Sequence, residues 1–189
     1  MRLNRQPDSA RSDPNTASLK TAIPPVGAET RLATVGAGCF WGVEQILSRL
    51  PGVVDTAGGY MGGASERPTY EQVYTDTTEH AEVVQIRWDR SKISCDALID
   101  VFWHLHDPTQ ADRQGPDVGR QYRSVVFTHD DAQARIVRET KAAIDAGGKL
   151  RRPVATEIKP APTFWKAEVS HQRYLDRGGI DRCHLYPAW

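Results

Sequence analysis

Cys39 is the residue best placed to do chemistry in this chain, because of what flanks it. It lies in the stretch Gly36-Ala37-Gly38-Cys39-Phe40-Trp41-Gly42. A β-like run, residues 31–35, precedes it. After it Val43, Ile46, Leu47 and Leu50 fall at i, i+3, i+4 and i+7, the spacing of one buried helical face. Pro51-Gly52 stops that helix. The thiol is therefore expected where a strand turns into a helix, and free backbone N–H groups and the helix dipole favour an anion there. The glycines let substrate and backbone approach closely, and Phe40 and Trp41 wall the site with aromatic surface. A small buried cysteine behind a glycine turn is the alternative. The flanking pattern favours a nucleophile.

The second group is Glu82. In residues 82–88, Val84, Ile86 and Trp88 share one face of a strand and Val83, Gln85 and Arg87 the other. Glu82 starts on the Val84/Ile86/Trp88 face, so its carboxyl group is expected to point at the core. Apolar surroundings raise a carboxyl pKa and keep the acid form near neutral pH. An exposed glutamate at a frayed strand start is the alternative. A second cysteine carries less signal. Cys95 follows a capping Ser94 in a helix with Leu98, Val101, Phe102 and Leu105 on one face, and reads as a packed bystander. His104 and His106, two apart on that helix, point in different directions and make no metal pair.

The elements that must position these groups are legible in outline. Residues 1–28 are polar, broken by Pro7, Pro14, Pro24 and Pro25, and read as a mobile tail. Residues 29–189 read as one catalytic domain, with a flexible C-terminal tail from about residue 176. A strand is expected over 53–57, and 58–63 (Gly-Gly-Tyr-Met-Gly-Gly) is expected to be a loop that cannot hold regular structure. A polar loop should run from Asp107-Pro108 to about Arg120, then a strand over 125–128, a helix over 131–146 and a strand over 154–159. A short helical segment is expected over 169–175, and the tail from Gly178 to His184 should be irregular. The order is β-α-β, long loop, β-α-β, then an extra helix and strand. That is an α/β (α+β) pattern, a two-layer ferredoxin-like split βαβ plait with a mainly antiparallel sheet.

Whole-chain properties narrow the class. The chain has 189 residues, with Lys+Arg and Asp+Glu both at 24, so the formal net charge is zero. Nothing in that balance argues for a nucleic-acid or membrane surface. No apolar run approaches a membrane-spanning length and no signal-like segment opens the chain, so a reducing cytoplasm is the expected location. Three cysteines are too few for a disulfide scaffold and suit redox or nucleophilic chemistry.

These residues resemble a known family. Gly38-Cys39-Phe40-Trp41-Gly42 is similar to the signature of the A-type peptide methionine sulfoxide reductases. Gly58-Gly59-Tyr60, Pro68-Thr69-Tyr70, His80-Ala81-Glu82, His106-Asp107-Pro108-Thr109-Gln110 and Gln121-Tyr122-Arg123-Ser124 resemble further family motifs, in family order, from about Arg31 to Cys183. The resemblance implies an α/β plait and reduction of the S epimer of methionine sulfoxide, free or in proteins. It implies Cys39 as nucleophile, Phe40 and Trp41 as the methyl pocket, and Glu82 as proton donor assisted by Tyr70 and Tyr122. Asp117 would orient the polar end of the substrate. The second thiol would be Cys183, in a glycine-containing tail able to swing to Cys39, since a disulfide needs Cα atoms within about 7 Å. Thioredoxin would serve as external reductant. No bound cofactor and no metal are implied, and a monomer is expected.

This chain departs from the family at two points. Glu79 stands where the family usually has glycine before His-Ala-Glu, adding a carboxylate near the proton donor. A single C-terminal cysteine, Cys183, stands where some relatives have two. Two rival readings remain from the residues themselves. One is a cysteine hydrolase with His80, His171 or His184 as base; the other is a thiol redox sensor built on Cys39 and Cys183.

Overall fold

The computed structural model describes residues 29–180. The expectations placed on residues 1–28, on Cys183 and on His184 lie outside the described residues.

Fourteen described elements follow one another as β1 (Thr30–Ala37), α1 (Phe40–Leu47), β2 (Val53–Met61), α2 (Tyr70–Tyr74), β3 (Ala81–Asp89), α3 (Cys95–His104), β4 (Arg113–Gln114), β5 (Asp117–Val118), a 3₁₀ turn (Arg120–Tyr122), β6 (Ser124–Thr128), α4 (Asp131–Ala146), β7 (Glu157–Pro160), β8 (Trp165–Lys166) and a 3₁₀ turn (Val169–His171). Local chemistry explains the helix starts. Ser94 accepts the Ala97 N–H at 3.2 Å and Asp130 accepts the Gln133 N–H at 2.7 Å. Thr69 and Gln72 form a reciprocal capping box for α2.

Six strands form one sheet in the order β7-β6-β1-β3-β2-β8. The β1–β3, β1–β6, β2–β3 and β2–β8 pairs are antiparallel, and β6–β7 is parallel. β1 and β2 therefore run the same way with β3 between them, joined by α1. Both faces of the sheet are covered at its centre. Val84, Ile86 and Trp88 join Phe40, Leu47, Phe102, Trp103 and Val137 in the larger core. Val83 faces a smaller cluster with Met61, Phe127 and Phe164. The fold is a mixed α/β arrangement on a mainly antiparallel sheet.

Three expectations are corrected. β2 continues through Gly58-Gly59-Tyr60 to Met61, so this stretch is strand and not loop. Its glycines sit where neighbours press on the backbone. A Cβ at Gly58 would come within 2.9 Å of the Phe40 ring, and one at Gly59 within 2.4 Å of the Trp165 carbonyl oxygen. Pairing to β3 and β8 on both sides outweighs the low strand propensity of glycine. The loop after Asp107 contains a two-stranded ribbon, β4 and β5. The helix expected over 169–175 is a 3₁₀ turn of three residues, because Arg173 turns into the left-handed region at φ 49° and gives its N–H to Glu44 of α1.

Candidate active site

β1 is followed by Gly38, whose φ of +91° needs glycine, and a Cβ there would meet Gln114 at 2.8 Å. Gln114 is held in turn: its amide oxygen accepts the Asp107 N–H at 3.0 Å and its NH₂ donates to the Asp107 carbonyl at 2.9 Å. This turn leaves Cys39 at the N-cap of α1, partly exposed, with no side-chain capping bond of its own.

The first N–H of α1 goes to an acid from another strand. Phe40 N donates to Glu82 Oε2 at 3.0 Å. Glu82 is 1 % exposed, which excludes the frayed-strand alternative. Burial pushes its carboxyl up to about 8, opposed by the Phe40 N–H and reinforced by the Asp117 charge. The acid form is thus the ground state at neutral pH, one residue from Cys39.

Two phenols share this field. Burial, then the Glu82 charge, raise the pKa of both Tyr70 and Tyr122, and Asp117 acts on each as well. Both remain O–H donors throughout the physiological range. Tyr70 comes from the start of α2, Tyr122 from the 3₁₀ turn before β6, and Asp117 from β5. Four separate elements thus bring Glu82, Tyr70, Tyr122 and Asp117 into mutual electrostatic range.

The apolar half of the site is a set of stacked rings. Phe40 lies 6.3 Å from Trp41 and 5.9 Å from Tyr60, centroid to centroid. Trp41 lies 5.9 Å from Tyr70 at an interplanar angle of 14°. The segment after β8 completes it: Tyr174 stacks on Trp41 at 3.9 Å and His171 on Tyr70 at 4.1 Å.

Sequence reasoning did not single out the residues that hold this segment down. Glu168 accepts the Tyr60 O–H at 3.1 Å and the Tyr70 N–H at 3.0 Å. The Gln172 amide pairs with both the N–H and the carbonyl of Gly58. Glu44 of α1, 1 % exposed, accepts the Arg173 N–H at 2.8 Å and the Thr56 hydroxyl at 3.1 Å. Only Glu44 carried a signal, as a charge beside the apolar stripe Val43/Ile46/Leu47. Glu168 and Gln172 act on partners about a hundred residues away, which no local pattern reveals.

The remaining candidates fall elsewhere. His80 accepts the Gly63 N–H at Nδ1 and its Nε2 contacts the Ser65 carbonyl at 2.8 Å, so both ring nitrogens are engaged in holding a loop. Burial lowers its pKa. His106 is buried between the Phe102 carbonyl and the Ser124 hydroxyl and is pushed down to about 4. Burial pushes the Cys95 thiol up to about 11, an inert setting. Glu79 turns to Arg120 at 3.1 Å and is itself largely exposed. Among the described residues no group of three or more His, Cys, Asp or Glu is arranged to hold a metal ion, and no helix is long and apolar enough to cross a membrane.

Comparison with known proteins gives a consistent result. The family model described as peptide methionine sulfoxide reductase matches residues 31–188. A peptide methionine sulfoxide reductase MsrA of Methanoculleus marisnigri is 54 % identical over 151 residues, covering 80 % of this chain and 92 % of that protein. Mxr1 from Saccharomyces cerevisiae in reduced form superposes with a TM-score of 0.78 at 33 % identity, covering 88 % of this chain and 94 % of the other. Mxr1 in complex with Trx2 gives a TM-score of 0.58 at 25 % identity, with coverages of 87 % and 95 %. Identity of this level, spread along almost the whole length of the relatives, means that the chain belongs to the peptide methionine sulfoxide reductase family.

Proposed function

We propose that this methionine sulfoxide reductase acts on the S epimer, free or in proteins, with Cys39 as nucleophile and Glu82 as general acid. The observation that carries this reading is the buried Glu82 carboxyl, bonded to the Phe40 N–H and kept in its acid form up to about pH 8. The Cys39 thiolate attacks the sulfoxide sulfur while Glu82 protonates the oxygen, with the Tyr70 and Tyr122 hydroxyls donating to the same oxygen. The oxygen ends on Cys39 as a sulfenic acid and methionine leaves, so the sulfur of Cys39 is oxidised as that of the substrate is reduced. Phe40 and Trp41 seat the terminal methyl group, and Asp117 accepts a hydrogen bond from the polar end of the substrate. The Cys183 thiol then attacks Cys39, expelling water and forming a disulfide. A thioredoxin dithiol reduces it, a step supported by the similarity to the Trx2-bound structure.

The inner strand order β6-β1-β3-β2 supports a ferredoxin-like split βαβ plait. We take residues 29–189 to act as one catalytic domain, monomeric and cytoplasmic, with no bound cofactor. The deciding experiment incubates the purified protein with methionine S-sulfoxide, thioredoxin, thioredoxin reductase and NADPH. Steady release of methionine is expected. Untouched S-sulfoxide would overturn the reading, and either outcome also separates it from a hydrolase or a redox sensor.

A further inference from the structure

The loop between α2 and β3 holds two non-glycine residues in the left-handed region, Asp76 at φ 59° and Glu79 at φ 61°. Both carboxylates face one cation, Arg120. The Arg120 backbone N–H donates to Asp76 Oδ1 at 3.1 Å, and its Nη1 donates to Glu79 Oε1 at 3.1 Å. Its Nε lies 3.7 Å from Asp76 Oδ1. The next side chain, Gln121, donates from Nε2 to the Tyr74 carbonyl at 3.2 Å.

The placement matters because of what adjoins each end. Arg120 and Gln121 open the 3₁₀ turn that ends in Tyr122. Tyr74 closes the helix that Tyr70 begins, and Glu79 precedes Glu82 by three residues. One guanidinium and one amide therefore tie the Tyr122 turn to the loop that joins Tyr70 to Glu82.

We propose that Arg120 is a positioning residue for the reductive step: through Glu79 and Asp76 it sets the Tyr122 hydroxyl against Glu82 and Tyr70. This rests on the assignment of Glu82 and Tyr122 as proton donors. A glycine at position 79 would suit the backbone better, so the glutamate is explained by its pairing and not by the turn. Misplacing a donor by a fraction of an ångström slows chemistry while leaving substrate binding intact.

The test is single-turnover release of methionine from methionine S-sulfoxide, with melting temperature measured alongside. Arg120→Gln and Glu79→Gln should each slow release by about threefold to tenfold, with KM unchanged. The double variant should be no slower than Arg120→Gln, because the two residues act as one pair. Arg120→Lys should recover part of the rate. Wild-type rate should fall towards the variants as salt is raised to about 0.5 M, while the variants stay flat. Glu79→Gly should slow release yet hold or raise Tm, since it relieves the left-handed backbone. Wild-type rates in Arg120→Gln alongside slow Tyr122→Phe, or rate losses that are additive and follow Tm, would overturn the positioning role. Wild-type rates in both Tyr122→Phe and Glu82→Gln would overturn the proton-donor assignment beneath it.

Discussion

Glu82 Oε2 accepts the backbone N–H of Phe40 at 3.0 Å, across 42 residues of chain. The bond uses one of the helix-start donors next to Cys39 and fixes there a protonatable carboxyl, the group proposed above as proton donor. Two opposing effects set that carboxyl: burial raises its pKa, and the N–H donor lowers it. Burial wins, since the group is fully enclosed and one neutral donor offsets only part of the lost hydration.

Glu82→Gln should slow single-turnover methionine release by about 10²–10⁴, the usual range for loss of a general acid. In the wild type the step should decline as pH rises through about 8, as the acid form of Glu82 is lost. A stopped-flow pH profile checks this, and the glutamine variant should lack the decline.

Stability should report the same group. Its pKa is raised from 4.5 unfolded to about 8 folded, so the folded state holds the extra proton between those values. The favourable contribution is complete below the unfolded value and is lost as pH rises through about 8. The Tm of wild type relative to Glu82→Gln should therefore fall steadily over that window, measured by calorimetry.

Cys39→Ser should abolish methionine release. Cys183→Ser should release about one methionine per enzyme and then stop, because the sulfenic acid lacks its partner thiol. Quantifying product against enzyme in the presence of thioredoxin distinguishes the two variants.

Tyr174→Ala removes the ring stacked 3.9 Å from Trp41. An aromatic pair contributes about 0.5–1.5 kcal/mol beyond its buried area, so KM for the sulfoxide should rise by about twofold to tenfold. The acid is untouched, so kcat should hold. Steady-state kinetics with free methionine sulfoxide measure the split.

Gly59→Ala would put a Cβ 2.4 Å from the Trp165 carbonyl oxygen and 2.5 Å from the Phe164 ring. Backbone cannot yield as a flexible side chain can, so a loss of at least about 1–3 kcal/mol is expected. For a domain of this size that lowers Tm by roughly 2–12 °C.

Some of this was legible from residues alone. The glycine-flanked Cys39 turn, the inward face of Glu82, the Ser94 cap and the helix over residues 131–146 each depend on neighbours a few positions away. Period and capping chemistry report such neighbours directly. Gly58-Gly59 misled for the same reason: their composition speaks for a loop, but the Phe40 and Phe164 rings and the Trp165 carbonyl that require glycine there are remote in sequence.

The amino-acid sequence by itself therefore determined which groups could react, a thiol at a helix start and an acid on a core-facing strand. Tertiary structure alone decided how they meet. It brought Glu82 to the Phe40 N–H, Glu168 to Tyr60 and Tyr70 across 108 and 98 residues, and Arg173 to Glu44 across 129. Those bonds are required because burial, and not local propensity, makes an unpaired carboxylate or amide too costly to leave alone.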